Sequence, residues 1–119
     1  MSASKRKGST WERAITEYLR TVGWPHAERR LAGAAQDRGD IAGIPGVVIE
    51  AKNTARLSLG EWIAEAEVER VHDGAWLGVV WHKRRGKASA GDGYVTMTGQ
   101  QFARLLAMAT VPASAQPPQ

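Results

Sequence analysis

Residues 75–82 read Ala-Trp-Leu-Gly-Val-Val-Trp-His, apolar at both odd and even positions. Side chains alternate faces along a strand, so a run without alternation needs cover on both sides. The segment is expected to be a buried central strand. A layered α/β arrangement, with helices flanking a sheet, supplies that cover. No apolar run in the chain approaches the roughly 20 residues needed to cross a bilayer.

The rest of the chain divides into elements of both periods. Residues 1–8 are small and basic and are expected to form a flexible arm, with Lys5, Arg6 and Lys7 as its cations. Ser9 or Thr10 reads as the N-cap of a first helix, in which Trp11, Ala14, Ile15, Tyr18, Leu19 and Val22 recur at helical spacing. Gly23 ends it, with Pro25 just beyond. Residues 26–32 are expected as a first strand, 33–39 as a mobile loop, and 40–43 with 47–52 as a hairpin around Pro45-Gly46. Ser58 and Glu61 make a capping box. It opens a second helix running to about His72, with Leu59, Trp62, Ile63 and Ala66 on one face and Asp73-Gly74 as its stop. A basic loop over 83–93 follows the central strand. Next come a short strand over 94–97 and a last helix from Thr98 or Gly99, carrying Phe102, Leu105, Leu106 and Met108. Pro, Ala, Ser and Gln dominate 111–119, which is expected to be a disordered tail. The order is α-β-β-β-α-β followed by β-α. One domain over 9–110 is expected, a mixed sheet flanked by helices with its first three strands antiparallel.

The length, 119 residues, suits one domain with a core that needs no staples. The chain has no cysteine, which excludes disulfides and thiolate metal sites. Its basic N-terminus is not followed by an apolar segment, so no secretory signal is read. A soluble, cytoplasmic protein with no membrane partner is expected. Net charge is +4, but residues 59–74 hold five acids (Glu61, Glu65, Glu67, Glu69, Asp73) and one base, Arg70, leaving fifteen cations against seven acids elsewhere. A basic body with one acidic helix suits a polyanion on its basic side.

Asp40, Glu50 and Lys52 carry the chemistry. Glu50 and Lys52 are two apart on one strand and point the same way. Whether Asp40 joins them depends on the hairpin's register, because a one-residue slip sends a side chain to the other face. A two-residue turn would pair Asp40 with Ala51. A three-residue loop of Ile44, Pro45 and Gly46, with Gly46 left-handed, would set Asp40 opposite Glu50. The odd loop, or a bulge, is expected. Two carboxylates and an ammonium would then share one patch. Hard oxygen ligands suit Mg²⁺, with Mn²⁺ as its substitute, and the chemistry of such a patch is phosphodiester hydrolysis.

Asp40 followed by Glu50-Ala51-Lys52 resembles the PD-(D/E)xK nuclease superfamily, although Gly39 stands where that family has proline. Lys7-Gly8-Ser9-Thr10-Trp11-Glu12-Arg13 resembles the opening of the first helix in Holliday junction resolvases of the archaeal type. Arg30-Leu31-Ala32-Gly33 resembles their first-strand segment, with Ala34 where a serine is usual. The pieces occur in the family's order. The resemblance implies a restriction-endonuclease-like core, with Asp40, Glu50 and the Ala51 carbonyl as ligands of Mg²⁺. It further implies Glu12 as a helper holding a water or a second ion, Lys52 as the charge stabiliser, and Arg13 and Arg30 as phosphate grips. It implies as well a homodimer acting on branched or duplex DNA, with Phe102, Leu106 or an exposed tryptophan as candidate dimer contacts.

Each feature has a plainer reading. With Ser9 as N-cap, Glu12 is the N3 residue of a capping box. Glu50 and Lys52 can be an exposed strand face. Lys5, Arg6, Lys7, Arg29, Lys83, Arg84 and Arg85 are phosphate contacts or solvated charge. His26, His72 and His82 lack metal-ligand spacing and read as structural or surface groups. The five tryptophans read mostly as core. The expected activity is a Mg²⁺-dependent DNA endonuclease, most specifically a Holliday junction resolvase. Alternatives are a restriction-like or repair nuclease, or a DNA-binding module without catalysis.

Overall fold

A computed structural model describes residues 3–30 and 39–110. The expected tail over 111–119, and all but Gly39 of the expected loop over 33–39, lie outside the described residues. The elements are α1 (Ala3–Thr21), β1 (Glu28–Arg29), β2 (Ile41–Ala42), β3 (Val47–Lys52), α2 (Leu59–Asp73), β4 (Leu77–His82), a 3-10 turn (Ala90–Asp92), β5 (Tyr94–Thr96) and α3 (Gly99–Ala109). The strands form one sheet in the order β1-β2-β3-β4-β5. Pairing is antiparallel except between β3 and β4, which α2 joins as a parallel crossover. The architecture is thus α/β, a mixed and mostly antiparallel sheet flanked by helices.

All six residues of β4 are buried, as its two-sided apolar pattern requires. Alternation sends Leu77, Val79 and Trp81 to one face. There they join Ile41 and Ile49, and Trp11, Ile15 and Leu19 of α1. Val80 goes to the other face, against Trp62 and Ala66 of α2. The indole N–H of Trp11 donates to the Trp81 carbonyl (3.0 Å), and that of Trp81 donates to the Ala90 carbonyl (3.0 Å). Buried indole donors need such acceptors. Trp76 is half-buried and Trp24 is exposed.

Several expectations need correction. Residues 3–8 are the first turns of α1 and not an arm, and the helix does not begin at Ser9 or Thr10. Ala, Ser, Lys and Arg all tolerate a helix, and the single Gly8 costs only about 1 kcal/mol. Glu12 is therefore a mid-helix residue and has no capping role. The Ser58 box does not form either. Ser58 has φ −132° and ψ 57°, short of the extended conformation a side-chain cap needs, and it makes no side-chain bond. The other ends read true. Gly74 closes α2 in the left-handed region, and the Thr98 hydroxyl accepts the Gln101 N–H at 3.1 Å. Among the described residues, no helix is long and apolar enough to cross a membrane.

Candidate metal centre

The hairpin has the odd register. Ile41 pairs with Ile49, leaving Ile44, Pro45 and Gly46 as the three-residue connection. Val47 N–H donates to the Ile44 carbonyl (3.1 Å), and Gly46 sits at φ +78°. Asp40 lies just before β2. Its N–H donates to the Ile49 carbonyl (2.9 Å), and its Oδ2 accepts the Ala51 N–H (2.8 Å). Position 39 does not suit a proline. It holds φ +93°, whereas proline is locked near −65°, and a Cβ there would stand 2.9 Å from Val48 Cγ1.

Ile49 packs toward α1, so its neighbours Val48 and Glu50 turn toward α2, as does Lys52. Two residues of α2 meet them. Glu65 and Glu69, one helical turn apart, bring carboxylate oxygens to within 4.8 Å of one another and of Glu50. Glu50 is 5% exposed and Glu69 1%. Lys52 Nζ lies 3.4 Å from Glu50 Oε1 and 3.0 Å from Glu65 Oε2. Glu50 Oε2 is buried with no hydrogen-bond donor. The carboxyls gathered beside it can bridge to it only through a shared proton or a cation.

The electrostatics express this crowding. Burial pushes Glu50 up to about 12, helped by the neighbouring Glu69 carboxyl and by the charge of Asp40. Glu12 is also raised, by burial and then by Asp40, with Arg29 opposing. Burial alone would lower Lys52, but its bond to Glu65 and the charges of Glu50 and Glu65 outweigh it and raise it. One ammonium thus faces Glu50, whose burial and neighbouring carboxyls favour its neutral form.

The group within ligating reach differs from the expected set. Glu50 belongs to it, but its companions are Glu65 and Glu69, while Asp40 stands beside Glu50 and Glu12 beside Asp40. The sequence did hold a signal for Glu69. It lies seven residues after Trp62 and three after Ala66, on the stripe that α2 buries. Two of the five acids of the acidic helix are thus turned toward the sheet.

The expected DNA contacts lie on several elements. Lys5, Arg6, Lys7 and Arg13 are exposed along α1. Arg29 is paired with Glu12 (3.3 Å) and Arg30 with Asp73 (3.4 Å). Lys83, Arg84 and Arg85 follow β4. His82 is buried, and its Nε2 lies 2.7 Å from the Thr96 hydroxyl. Burial lowers its pKa. Compared with family models, curated proteins and solved structures, the chain finds no match in any of the three.

Proposed function

We propose that the chain is a Mg²⁺-dependent DNA endonuclease with a restriction-endonuclease-like core. The observation that carries this reading is the Glu50 carboxyl. It is buried, lacks a donor on Oε2, and is gathered with Glu65 and Glu69 beneath a single lysine. The element order and the parallel β3–β4 pair are compatible with that core.

The residues fit a hard divalent cation. All three acids offer carboxylate oxygens, the donor type Mg²⁺ requires, and the resemblance adds Asp40 and the Ala51 carbonyl. A bound Mg²⁺ supplies an acidified water and charge stabilisation on a phosphate. Glu50, Glu65 and Glu69 would hold the cation. Lys52, at the edge of the group, offsets negative charge on the reacting phosphate. Glu12, with a raised pKa, can hold a proton beside Asp40. Hydrolysis adds water oxygen to phosphorus and breaks the P–O3′ bond, leaving a 5′-phosphate and a 3′-hydroxyl, as the resemblance implies.

Within this class, the resemblance of the Lys7–Arg13 and Arg30–Gly33 segments favours a Holliday junction resolvase. A C2 dimer would place one site on each of two equivalent strands. Phe102 and Leu106 of α3, 50% and 51% exposed, are available for its contact. The test is cleavage of four-way junction, flap and linear duplex in Mg²⁺, Mn²⁺ and EDTA, with Glu50→Gln and Glu69→Gln beside wild type. Metal-dependent cutting lost in both variants is expected, with the junction preferred. Equal cutting of all three substrates sinks the resolvase assignment, and no cutting in either metal sinks the enzyme.

A second reading is a DNA-binding module without catalysis. Two of the expected site acids are already engaged, Asp40 by the Ala51 N–H and Glu12 by Arg29. Asp40→Asn decides between the two. An enzyme loses cleavage and keeps DNA binding, whereas a binding module has no cleavage to lose.

A further inference from the structure

We propose that a basic cleft between α1 and the turn after β4 seats the phosphodiester backbone of DNA, separately from the carboxylates and without need of metal. The cleft encloses about 340 Å³, and Lys7, Asn53, Thr54, Lys83, Arg84 and Arg85 line it. These residues come from three distant segments. Four are cations, and none of the described residues lining the cleft is acidic. Gathering four like charges without an anion opposes folding unless a ligand offsets it. Asn53 and Thr54 add neutral hydrogen-bonding groups, the other kind of partner that phosphates take from proteins.

The cleft is built and not merely exposed. Lys83 N–H donates to the Lys52 carbonyl (3.0 Å), which hangs the turn from the end of β3. Lys87 N–H donates to the Arg84 carbonyl (3.1 Å), and Gly86 at φ +78° closes the turn. The Arg84 guanidinium lies 4.8 Å from the centre of the Tyr94 ring. A stacked cation of this kind is held in place.

Its position relates it to the carboxylates. Asn53 follows Lys52 directly, so the cleft continues the line of β3 beyond Glu50. At about 3.3 Å per residue, the end of β3 at Lys52 lies roughly 7 Å from Glu50, and the cleft begins at the next residue. At about 3.4 Å of rise per nucleotide, that is about two nucleotides. A strand lying across Glu50 and Lys52 therefore has a phosphate in the cleft. The choice of DNA as the polyanion rests on the proposed function.

The test is fluorescence anisotropy of labelled duplex DNA in EDTA over a range of salt concentrations. It compares wild type, the combined Lys7→Ala/Lys83→Ala/Arg85→Ala variant, and Arg104→Ala, which removes a cation that does not line the cleft. Arg84 is kept because it covers Tyr94. Three lost phosphate contacts should lower the slope of log K against log salt by about 2.7 and weaken binding at least about tenfold. Arg104→Ala should change neither. Should the combined variant misfold by circular dichroism, Lys83→Glu alone must weaken binding in the same direction. Binding within twofold of wild type and an unchanged slope overturn the proposal. So does equal competition by millimolar inorganic phosphate or free nucleotide, which marks a seat for small anions. Because metal is absent, failure of cleavage would defeat the nuclease reading and leave this result standing.

Discussion

Replacing Glu50 with glutamine keeps the shape of this side chain while removing its proton. Glu50 is pushed up to about 12 from 4.5, chiefly by burial. Without a cation, the native carboxyl group therefore keeps a proton at neutral pH that the unfolded chain has released. A group raised on folding contributes fully below its unfolded value and loses that contribution as the pH climbs, here from 4.5 towards about 12. Each pH unit in that window removes about 1.4 kcal/mol of stability. Moving from pH 6 to pH 8 in EDTA thus costs up to about 3 kcal/mol, a large part of a typical 5–15 kcal/mol. Glutamine resembles the protonated acid and has nothing to lose. In urea denaturation, Glu50→Gln should gain on wild type by up to about 3 kcal/mol between those pH values. Mg²⁺ should restore the wild type at pH 8, because a cation replaces the proton, and should leave the variant unmoved. Parallel pH slopes for the two proteins in EDTA would refute the reasoning. Glu50 would then be ionised and already balanced by Lys52, and the case for a cation would fall with it.

Lys52→Met should cut cleavage about 10²–10³-fold, the usual effect of removing one charge-stabilising group, with DNA binding in EDTA little changed. A loss of binding equal to the loss of rate would place Lys52 in ground-state binding instead. His82, lowered by burial, should stay neutral in the native state while the unfolded chain takes up a proton below about 6.5. Its contribution is full above that value and falls as the pH drops, opposite in sign to Glu50. An imidazole NMR signal titrating at or above 6.5 would contradict this. Gly39→Ala forces a Cβ to within 2.9 Å of Val48 at φ +93° and should cost about 1–3 kcal/mol by thermal denaturation. A neutral result would mean that the segment before Asp40 can shift freely. Trp11→Ala empties the centre of the α1 face and removes the indole bond to the Trp81 carbonyl, for a loss of about 3–5 kcal/mol in urea unfolding. A change under 1 kcal/mol would show that α1 is not docked through this residue.

The sequence by itself determined the features that depend on periodicity. The apolar run of β4, with no alternation, required two covered faces and has them. The odd register of the hairpin was expected because a shared Asp40–Glu50 patch needs it, and the Ile41–Ile49 pair has it. The helix ends at Gly74 and Thr98 were legible because their chemistry is local. The start of α1 was not, since Ser9 and Thr10 suit a cap and a helix interior alike.

Tertiary structure alone decided the membership of the charged groups. Glu65 and Glu69 look like the solvated face of an acidic helix until α2 is laid against β3, which turns them onto Glu50. Lys7 and Lys83 are 76 residues apart and share a cleft only because α1 and the turn after β4 reach the same end of the sheet. A residue's secondary-structure period is written in its immediate neighbours. The field at an ionisable group is set by whatever the fold brings within a few ångströms, and those contacts come from distant parts of the chain.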